Sequence, residues 1–249
     1  MSNLTWKEIQ KYSRQIIIND FGIRSQEKLK KARVLVAGAG GLGSTVITCL
    51  AAAGIGCLKI IDDDAVELSN LNRQFLHYES DVGEKKIKSI AEKISRLNPD
   101  ITIEGIPQKI TKKNAEEVTA GVDLIIDCLD NFKSRFILNW ISRKRGVPLV
   151  FGSVNAFEGM ATFLNPGRTP CLECFVPNGI SDIKSPVIGV TPALIGAIQA
   201  TEAIKYITGM QASLENKLLL YDGRLLDFEL IGINRNPECP CCGKGGNCR

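Results

Sequence analysis

The feature that most constrains this chain is a glycine-rich turn between a strand-like segment and a helix-like segment. The apolar run at 33–37 leads directly into Gly38-Ala39-Gly40-Gly41-Leu42-Gly43, and small residues dominate from there to Ala53. Glycines at this spacing let the backbone turn tightly and approach phosphate oxygens at the positive end of a helix. The pattern predicts a nucleotide-binding strand, turn and helix.

Strand-like and helix-like segments alternate through the first 155 residues. We predict strands at 33–37, 58–61, 101–106, 124–126 and 148–154, and helices at 42–53, 85–97, 114–119 and 132–145. This alternation is typical of an α/β, Rossmann-like fold with a mostly parallel sheet covered by helices on both faces.

The pattern changes after Ala156. We predict a strand at 159–163, a connection without helical period at 176–190, a helix at 193–208, and a hairpin of strands at 218–222 and 226–231 that turns near Asp222-Gly223. These strands would extend the sheet in antiparallel fashion. We expect one domain over residues 1–249, with a helical arm (1–32), a nucleotide-binding half (33–155) and a second half (156–249).

Charge and hydropathy exclude several classes of protein. The net charge is +4 and the basic residues are dispersed, so the basic patch typical of a nucleic-acid-binding protein is missing. No apolar run approaches the roughly 20 residues of a membrane-spanning helix. The polar N-terminus does not resemble a secretory signal, so we expect a cytoplasmic protein without nucleic-acid or membrane partners.

Four of the nine cysteines form two closely spaced pairs. Cys171 and Cys174 make one C-x-x-C pair and Cys239 and Cys242 make the other, 239 − 174 = 65 residues later. Four thiolates with this spacing predict a closed, structural zinc site that fastens the C-terminal segment to the rest of the chain. Buried or disulfide-linked cysteines are the alternative, and Cys241 could compete as a ligand.

An acidic residue follows the glycine turn at the distance typical of a nucleotide site. Asp62 ends the next predicted strand, 62 − 43 = 19 residues after Gly43, where a carboxylate can accept hydrogen bonds from ribose hydroxyls. Up to this point, a nicotinamide-dependent oxidoreductase explains the pattern equally well.

Five motifs in order add a more specific likeness. They are Tyr12-Ser13-Arg14-Gln15, the glycine turn, Ser69-Asn70-Leu71-Asn72-Arg73-Gln74, Lys86, and Asp127-Cys128-Leu129-Asp130-Asn131. From about Tyr12 to Gly243 the chain resembles the MoeB/ThiF/HesA family of ubiquitin-activating-enzyme-like adenylyltransferases, and its motifs are most similar to the MoeB branch.

The resemblance implies ATP-dependent adenylation of the C-terminal glycine carboxylate of a ubiquitin-like sulfur carrier that ends in diglycine. It implies ATP and Mg²⁺ as cofactors beside Zn²⁺, and it assigns carrier binding to the second half of the chain. It also implies a homodimer in which Arg14 reaches the partner's site. For zinc it supports Cys239 and Cys242 in the second pair.

The same resemblance implies the site residues. The catalytic residues would be Arg14, Arg73, Lys86 and Asp130, with Asp130 holding Mg²⁺ and Asn70 orienting the triphosphate. Residues implied in nucleotide binding are Gly38, Gly40, Gly41, Gly43, Asp62, Asp64, Ser69, Asn70, Leu71, Asn72, Arg73, Lys86, Asp130 and Asn131. Asp130 could instead cap the helix that begins near Phe132. Arg135 and Asn139 are interpreted as supporting structure.

Some family members use a cysteine before the last helix to form a covalent intermediate. This chain has no cysteine from Phe175 to Thr191, so we expect catalysis to stop at the acyl-adenylate and a separate sulfurtransferase to supply sulfur. Cys248 is the least excluded alternative thiol, and His77 is expected to form a local hydrogen bond. A non-catalytic carrier-binding scaffold, or adenylation of another carboxylate, stays open.

Overall fold

The computed structural model describes residues 3–176 and 186–243, which form eight strands and eight α-helices. The strands are β1 (Arg33–Ala37), β2 (Cys57–Ile61), β3 (Thr102–Ile106), β4 (Leu124–Asp127), β5 (Leu149–Asn155), β6 (Glu158–Leu164), β7 (Lys217–Asp222) and β8 (Asp227–Gly232). The helices are α1 (Trp6–Lys11), α2 (Ser13–Ile16), α3 (Gly22–Lys31), α4 (Gly41–Ala53), α5 (Lys86–Leu97), α6 (Ala115–Val118), α7 (Phe132–Arg145) and α8 (Val190–Thr208).

All eight strands belong to one sheet with the order β3-β2-β1-β4-β5-β6-β7-β8. The first five strands pair in parallel, and β6, β7 and β8 add to the β5 edge in antiparallel fashion. The predicted Rossmann-like fold with an antiparallel extension is therefore confirmed. The strand order reverses direction between β1 and β4, which is where open α/β sheets form a ligand crevice.

Each face of the sheet has its own apolar core. On one face, residues such as Val36, Leu58 and Ile126 pack against α3, α4, α5 and α8, and on the other face Leu35, Ile125 and Phe151 pack against α6 and α7. Successive strand residues point to opposite faces, so a strand covered on both sides has to be apolar throughout. This explains the apolar runs at 34–37 in β1 and 124–126 in β4.

Several predicted boundaries differ from the observed ones by one residue, and the start of the last helix differs by three. Helix α8 begins at Val190 rather than at residue 193, because Pro192 lies in its first turn, where a backbone N–H has no helical partner to lose. Leu226 belongs to the hairpin turn with φ +53°, and β8 begins one residue later. Residues 177–185 of the predicted 176–190 connection lie outside the described residues.

The predicted helical arm consists of α1 to α3 and is fastened to the C-terminal ends of α4 and α5 by polar contacts. Thr5 and Glu8 form a capping box at α1. The Tyr12 hydroxyl accepts a hydrogen bond of 2.8 Å from Asn98 Nδ2, and Gln26 Nε2 donates one of 2.9 Å to the Ala53 carbonyl. Among the described helices, none combines the length and hydropathy needed to cross a membrane.

Close contact between α4 and α8 depends on Gly196. A Cβ added there would lie 2.9 Å from the Leu42 carbonyl oxygen and 3.0 Å from Thr45 Cβ. We expect Gly196→Val to lower the free energy of unfolding by about 2 kcal/mol, because the helices must separate to admit the side chain. Thr201→Val, at an exposed position of the same helix, is the control and should change it by less than about 0.5 kcal/mol. Equal losses in chemical denaturation would contradict the assigned packing.

Candidate nucleotide site and four-cysteine cluster

The glycine turn brings the start of α4 against the ends of β1 and β4. Gly38 has φ +97°, and a Cβ on it would lie 2.5 Å from the Cys128 carbonyl oxygen. A Cβ on Gly43 would lie 2.1 Å from the Gly38 carbonyl oxygen. Both positions therefore require glycine, for its positive φ at Gly38 and for close backbone packing at Gly43.

A cavity of about 550 Å³ opens beyond this turn. Nine of the sequence-predicted site residues line it, namely Gly38, Gly40, Gly41, Asp62, Asp64, Arg73, Lys86, Asp130 and Asn131. The start of α4 contributes backbone N–H groups and the positive end of a helix dipole, which favour phosphate oxygens. The cavity thus combines the features of an anion site with several ionisable side chains.

Asp62 holds the glycine turn in place. Its Oδ2 accepts a hydrogen bond of 2.7 Å from the Ala39 N–H, and its Oδ1 accepts one of 2.9 Å from the Asp64 N–H. Burial raises the pKa of Asp62, and the nearby Lys86 charge opposes that effect. The carboxylate is therefore positioned by the backbone at the cavity wall, where its remaining lone pairs can accept further hydrogen bonds.

Two cations reach the cavity from different elements. Lys86, the first residue of α5, is buried, and its Nζ lies 2.8 Å from Asp64 Oδ2. Arg73 Nη1 donates hydrogen bonds of 2.7 Å to the Ser69 carbonyl and 2.9 Å to Asn72 Oδ1. Neither cation is a freely solvated surface side chain. Both are held where they can neutralise phosphate charge.

Asp130 and Asn131 divide two roles that the sequence left open. Asn131 is the N-cap of α7, because its side chain accepts a hydrogen bond of 2.9 Å from the Ser134 N–H. The alternative interpretation of Asp130 as the cap is wrong. Asp130 is exposed at the cavity and accepts a weak hydrogen bond of 3.3 Å from Asn131 Nδ2. Its carboxylate is available for a hard cation such as Mg²⁺.

The remaining predicted residues lie behind the cavity wall or away from it. Gly43 packs α4 against β1. Ser69, Asn70, Leu71 and Asn72 do not line the cavity; instead, the buried Asn70 accepts a hydrogen bond of 3.1 Å from the Glu67 N–H and fixes the turn that precedes Arg73. Arg14 is exposed on α2 and is not part of the wall.

The four paired cysteines converge in the fold. The sulfur atoms of Cys171, Cys174, Cys239 and Cys242 all lie within 4.8 Å of one another. Individual Sγ separations are 3.6 Å for Cys171–Cys239, 3.2 Å for Cys174–Cys242 and 4.0 Å for Cys171–Cys174. A tetrahedral Zn²⁺ with bonds of about 2.3 Å requires sulfurs about 3.8 Å apart, so these residues fit the ion.

The electrostatics of the cluster favour a bound cation. Burial and the neighbouring thiols raise the pKa of Cys171, and burial raises that of Cys242 to about 11. A divalent cation supplies the charge that four thiolates in one place require. Cys241 is not one of the four; its Sγ lies 3.5 Å from Asn139 Nδ2. The other alternative thiol, Cys248, lies outside the described residues.

Comparison with known proteins identifies the family. The ThiF family model matches residues 12–241. The chain belongs to the ThiF family. It is 43% identical over 245 residues to the SAMP-activating enzyme E1 of Haloferax volcanii, covering 96% of this chain and 90% of that protein. It is 39% identical over 250 residues to the sulfur carrier protein adenylyltransferase of Thermus thermophilus, covering 96% and 92%.

A solved structure of another protein resembles the same fold. The E. coli MccB structure with ATP is 26% identical, has a TM-score of 0.86, and matches 97% of this chain and 75% of that chain. Such a match over nearly the whole length shows that the ThiF architecture extends through both the parallel and the antiparallel parts of this sheet.

Sequence reasoning missed several residues that line the cavity of this ThiF-family chain. Gln74 is buried, and its Oε1 has no hydrogen-bond partner among the described residues. Its position beside Arg73 was a usable signal. The wall formed by Gln108, Lys109 and Ile110 follows β3, and no local motif marks it. The order of the strands brings that segment to the cavity.

Arg135 ties the cavity wall to the sheet. Its Nη1 donates a hydrogen bond of 2.8 Å to the Gly152 carbonyl, and its Nη2 donates to the Leu129 carbonyl. It lies 4.0 Å from the fully buried Asp127 carboxylate, whose pKa burial raises to about 6. These contacts agree with the supporting role expected for Arg135.

His77 supports the same region from behind the glycine turn. Its Nδ1 lies 2.8 Å from Ser89 Oγ, which is the local hydrogen bond expected for this residue. Burial, together with the Lys86 and Lys93 charges, lowers the pKa of His77 to about 4. The imidazole is therefore neutral at physiological pH and is part of the packed structure.

The depressed pKa of His77 predicts a pH-dependent stability. Between pH 6.5 and 4 the unfolded chain binds a proton on His77 that the folded chain does not, so stability falls as pH falls through that window. From pH 7.5 to pH 5 the wild type should lose about 2 kcal/mol more than His77→Asn in chemical denaturation. Parallel losses in the two proteins would contradict a buried neutral histidine.

The cysteine geometry predicts one zinc ion per chain by elemental analysis. Cys174→Ser should abolish that stoichiometry and lower the midpoint of thermal unfolding, because metal binding is coupled to folding of the C-terminal segment. Cys49→Ser, on α4 and away from the cluster, is the matched control and should keep its zinc. Zinc retained at full stoichiometry in Cys174→Ser would rule out this ligand set.

Proposed function

We propose that this chain adenylates the C-terminal glycine of a ubiquitin-like sulfur carrier, consuming ATP and releasing pyrophosphate. The observation that carries the proposal is the convergence of Arg73, Lys86 and Asp130 on one cavity at the glycine turn. Relatives named as a sulfur carrier adenylyltransferase and as a SAMP-activating enzyme support the choice of substrate. The Gly-Gly carrier is thus the substrate proposed here.

The reaction is a displacement at phosphorus. A carboxylate oxygen of the carrier attacks the α-phosphorus of ATP, an O–P bond forms, and the bond to the β-phosphate oxygen breaks with its electron pair leaving on pyrophosphate. An α-carboxyl group titrates near pH 3.5, roughly, so the nucleophile is already ionised at pH 7 and no general base is required. The protein has to bring two anions together and offset their charge.

The residues at the cavity are suited to that electrostatic task. We assign Lys86 and Arg73 to the phosphates, Asp62 to the ribose, and the N–H groups of the glycine turn to the phosphate oxygens. Asp130 would hold Mg²⁺, which supplies Lewis-acid neutralisation of the pyrophosphate leaving group when bound. The turn at 69–72 keeps Arg73 in position, so those residues act through it.

Arg14 requires a second protomer in this proposal. It is exposed on α2 and does not line the cavity of its own chain. We propose a homodimer in which Arg14 of one protomer completes the site of the other, as an arginine supplied in trans does at other phosphate sites. An exposed arginine on a short helix of the N-terminal arm is free to serve that function.

The division of the chain extends the proposal. Residues 33–155 would bind the nucleotide and residues 156–249 would bind the carrier, while the cysteine cluster holds the last segment against α7. With no cysteine from Phe175 to Thr191, the product released is the acyl-adenylate, and a separate sulfurtransferase delivers sulfur to it.

Exchange of labelled pyrophosphate into ATP tests the chemistry. We expect exchange to require Mg²⁺ and a diglycine-ending carrier, and to fall by roughly 100-fold or more in Asp130→Asn and in Arg73→Gln, since each removes charge stabilisation at the phosphates. Arg96→Gln and Asp20→Asn change exposed residues of the same types and should retain activity. ATP binding without exchange for any carrier tested would refute the proposed activity.

Mixing two inactive variants tests the dimer. Arg14→Ala and Asp130→Ala place the defects on different protomers of a mixed dimer, so one of its two sites is intact if Arg14 acts in trans. Equal mixing with subunit exchange should restore about a quarter of wild-type activity, because half the dimers are mixed. No recovery, with mixed dimers verified by two affinity tags, would place Arg14 in the site of its own chain.

A further inference from the structure

The antiparallel part of the sheet presents one face to solvent. Gly159, Ala161 and Leu219 face α8, and a Cβ on Gly159 would lie 2.4 Å from Ile195 of that helix. The intervening residues of β5 to β8 point to the opposite face. They form two rows across the strands, Ser153–Met160–Leu220–Glu229 and Asn155–Glu158–Asp222–Asp227.

These two rows line a groove of about 380 Å³. Met160, Leu220 and Leu225 make its apolar part, while Leu225 is 77% exposed and so has apolar surface to cover. Ser153 and Val154 belong both to this groove and to the nucleotide cavity. The groove therefore adjoins the nucleotide cavity along β5.

The groove carries charge of one sign. Four carboxylates line it, those of Glu158, Asp222, Asp227 and Glu229, and no lysine or arginine lines it. Within the described part of the chain, none of the four forms an ion pair. This concentration of negative charge occurs in a chain whose net charge is +4.

The arginine of the neighbouring hairpin turn does not line the groove. Arg224 lies in the hairpin turn, and its guanidinium is 5.8 Å from the centre of the Phe157 ring. A second, larger cavity of about 850 Å³ also adjoins the nucleotide cavity, but four lysines and one glutamate line it. The groove and this second cavity thus have opposite charge, so peptides of opposite charge would be attracted to different ones.

We propose that this groove seats the C-terminal tail of the carrier and selects tails with a basic side chain a few residues before the diglycine. The inference rests on the proposed function and specifies its substrate. An extended tail with a free carboxylate has to end at the α-phosphate, and the groove is the acidic, partly apolar path that leads there. Its carboxylates repel acidic tails and attract Lys or Arg.

The register of the strands sets the position of the basic residue. Glu229 lies three strand spacings from Ser153, which is roughly 14 Å at about 4.8 Å per strand. An extended peptide covers that distance in roughly four residues. Counting from a terminal glycine near Ser153, the selected basic residue falls at about the third to sixth position from the C-terminus.

The test uses one carrier that supports exchange, with Arg, Ala or Glu placed in turn at the third to sixth positions from its C-terminus. Wild-type enzyme should favour Arg over Glu by roughly tenfold in kcat/KM at one or more of these positions, chiefly through KM and less so at high salt. The paired change Asp227→Asn with Glu229→Gln should reduce that preference to about twofold or less.

Charge reversal and a distant control complete the set. Asp227→Lys with Glu229→Lys should invert the preference towards Glu-containing tails. Glu92→Gln with Glu117→Gln removes the same charge from exposed positions on α5 and α6 and should leave the Arg preference at its wild-type value. Equal use of all tails by the wild type, or an unchanged preference in the neutralised enzyme, would overturn the inference.

Binding of the same carriers without ATP separates this inference from the proposed function. If no carrier supports exchange, the adenylation proposal fails. Calorimetric titration of the carriers without ATP then tests independently whether the groove binds basic tails. Affinity that follows the charge of the tail and is lost with Asp227→Asn and Glu229→Gln upholds a docking groove for basic tails. Affinity that is absent or independent of tail charge overturns it.

Discussion

The close approach of α4 to β1 and β4 is the constraint on which the rest of this structure depends. Gly43 lies against the Gly38 carbonyl, and Gly38 lies against the Cys128 carbonyl, so three backbone segments meet where ordinary side chains would keep them apart. This contact aims the start of α4 at the cavity. It also places the end of β4 beside the turn. Asp130 lies three residues beyond that strand and therefore faces the residues that follow β2 across the cavity.

Helix α7 connects the two chemical centres of the chain. Its first turn carries the cap at Asn131 and the cavity residue Ser134. Arg135 binds the carbonyl of Leu129, just beyond β4, and that of Gly152, within β5. One turn later, Asn139 accepts a hydrogen bond of 2.9 Å from the Leu172 N–H beside the first cysteine pair. The cysteine cluster thus buttresses the same helix whose start shapes the nucleotide site.

Charge is distributed to match the chemistry proposed for each region. Lys86 and Arg73 lie where phosphate charge has to be offset, and each is held by a neighbouring oxygen rather than left in solvent. The acidic groove lies on the approach from the antiparallel strands, away from the phosphates. The basic cavity can therefore bind a triphosphate while the neighbouring acidic groove attracts a cationic peptide. The two regions interfere little with each other, because salt screens the interaction between exposed charges more than about 10 Å apart.

The sequence by itself determined the elements and the chemistry that is encoded locally. The glycine turn, the alternating strands and helices and the two C-x-x-C pairs were legible, because turn geometry, hydrophobic periodicity and ligand spacing act over a few residues. The roles of Arg73 and Lys86 came from the family resemblance of the motifs that contain them. The start of α8 was misplaced because a proline is usually read as the end of a helix unless it is known to lie in the first turn.

Tertiary structure alone decided the rest. It brought the segment at 108–110 to the cavity, made Asn70 a support rather than part of the wall, and aligned Glu158, Asp222, Asp227 and Glu229 in one groove. Those arrangements depend on strand order and register, which join residues far apart in sequence and leave no local pattern.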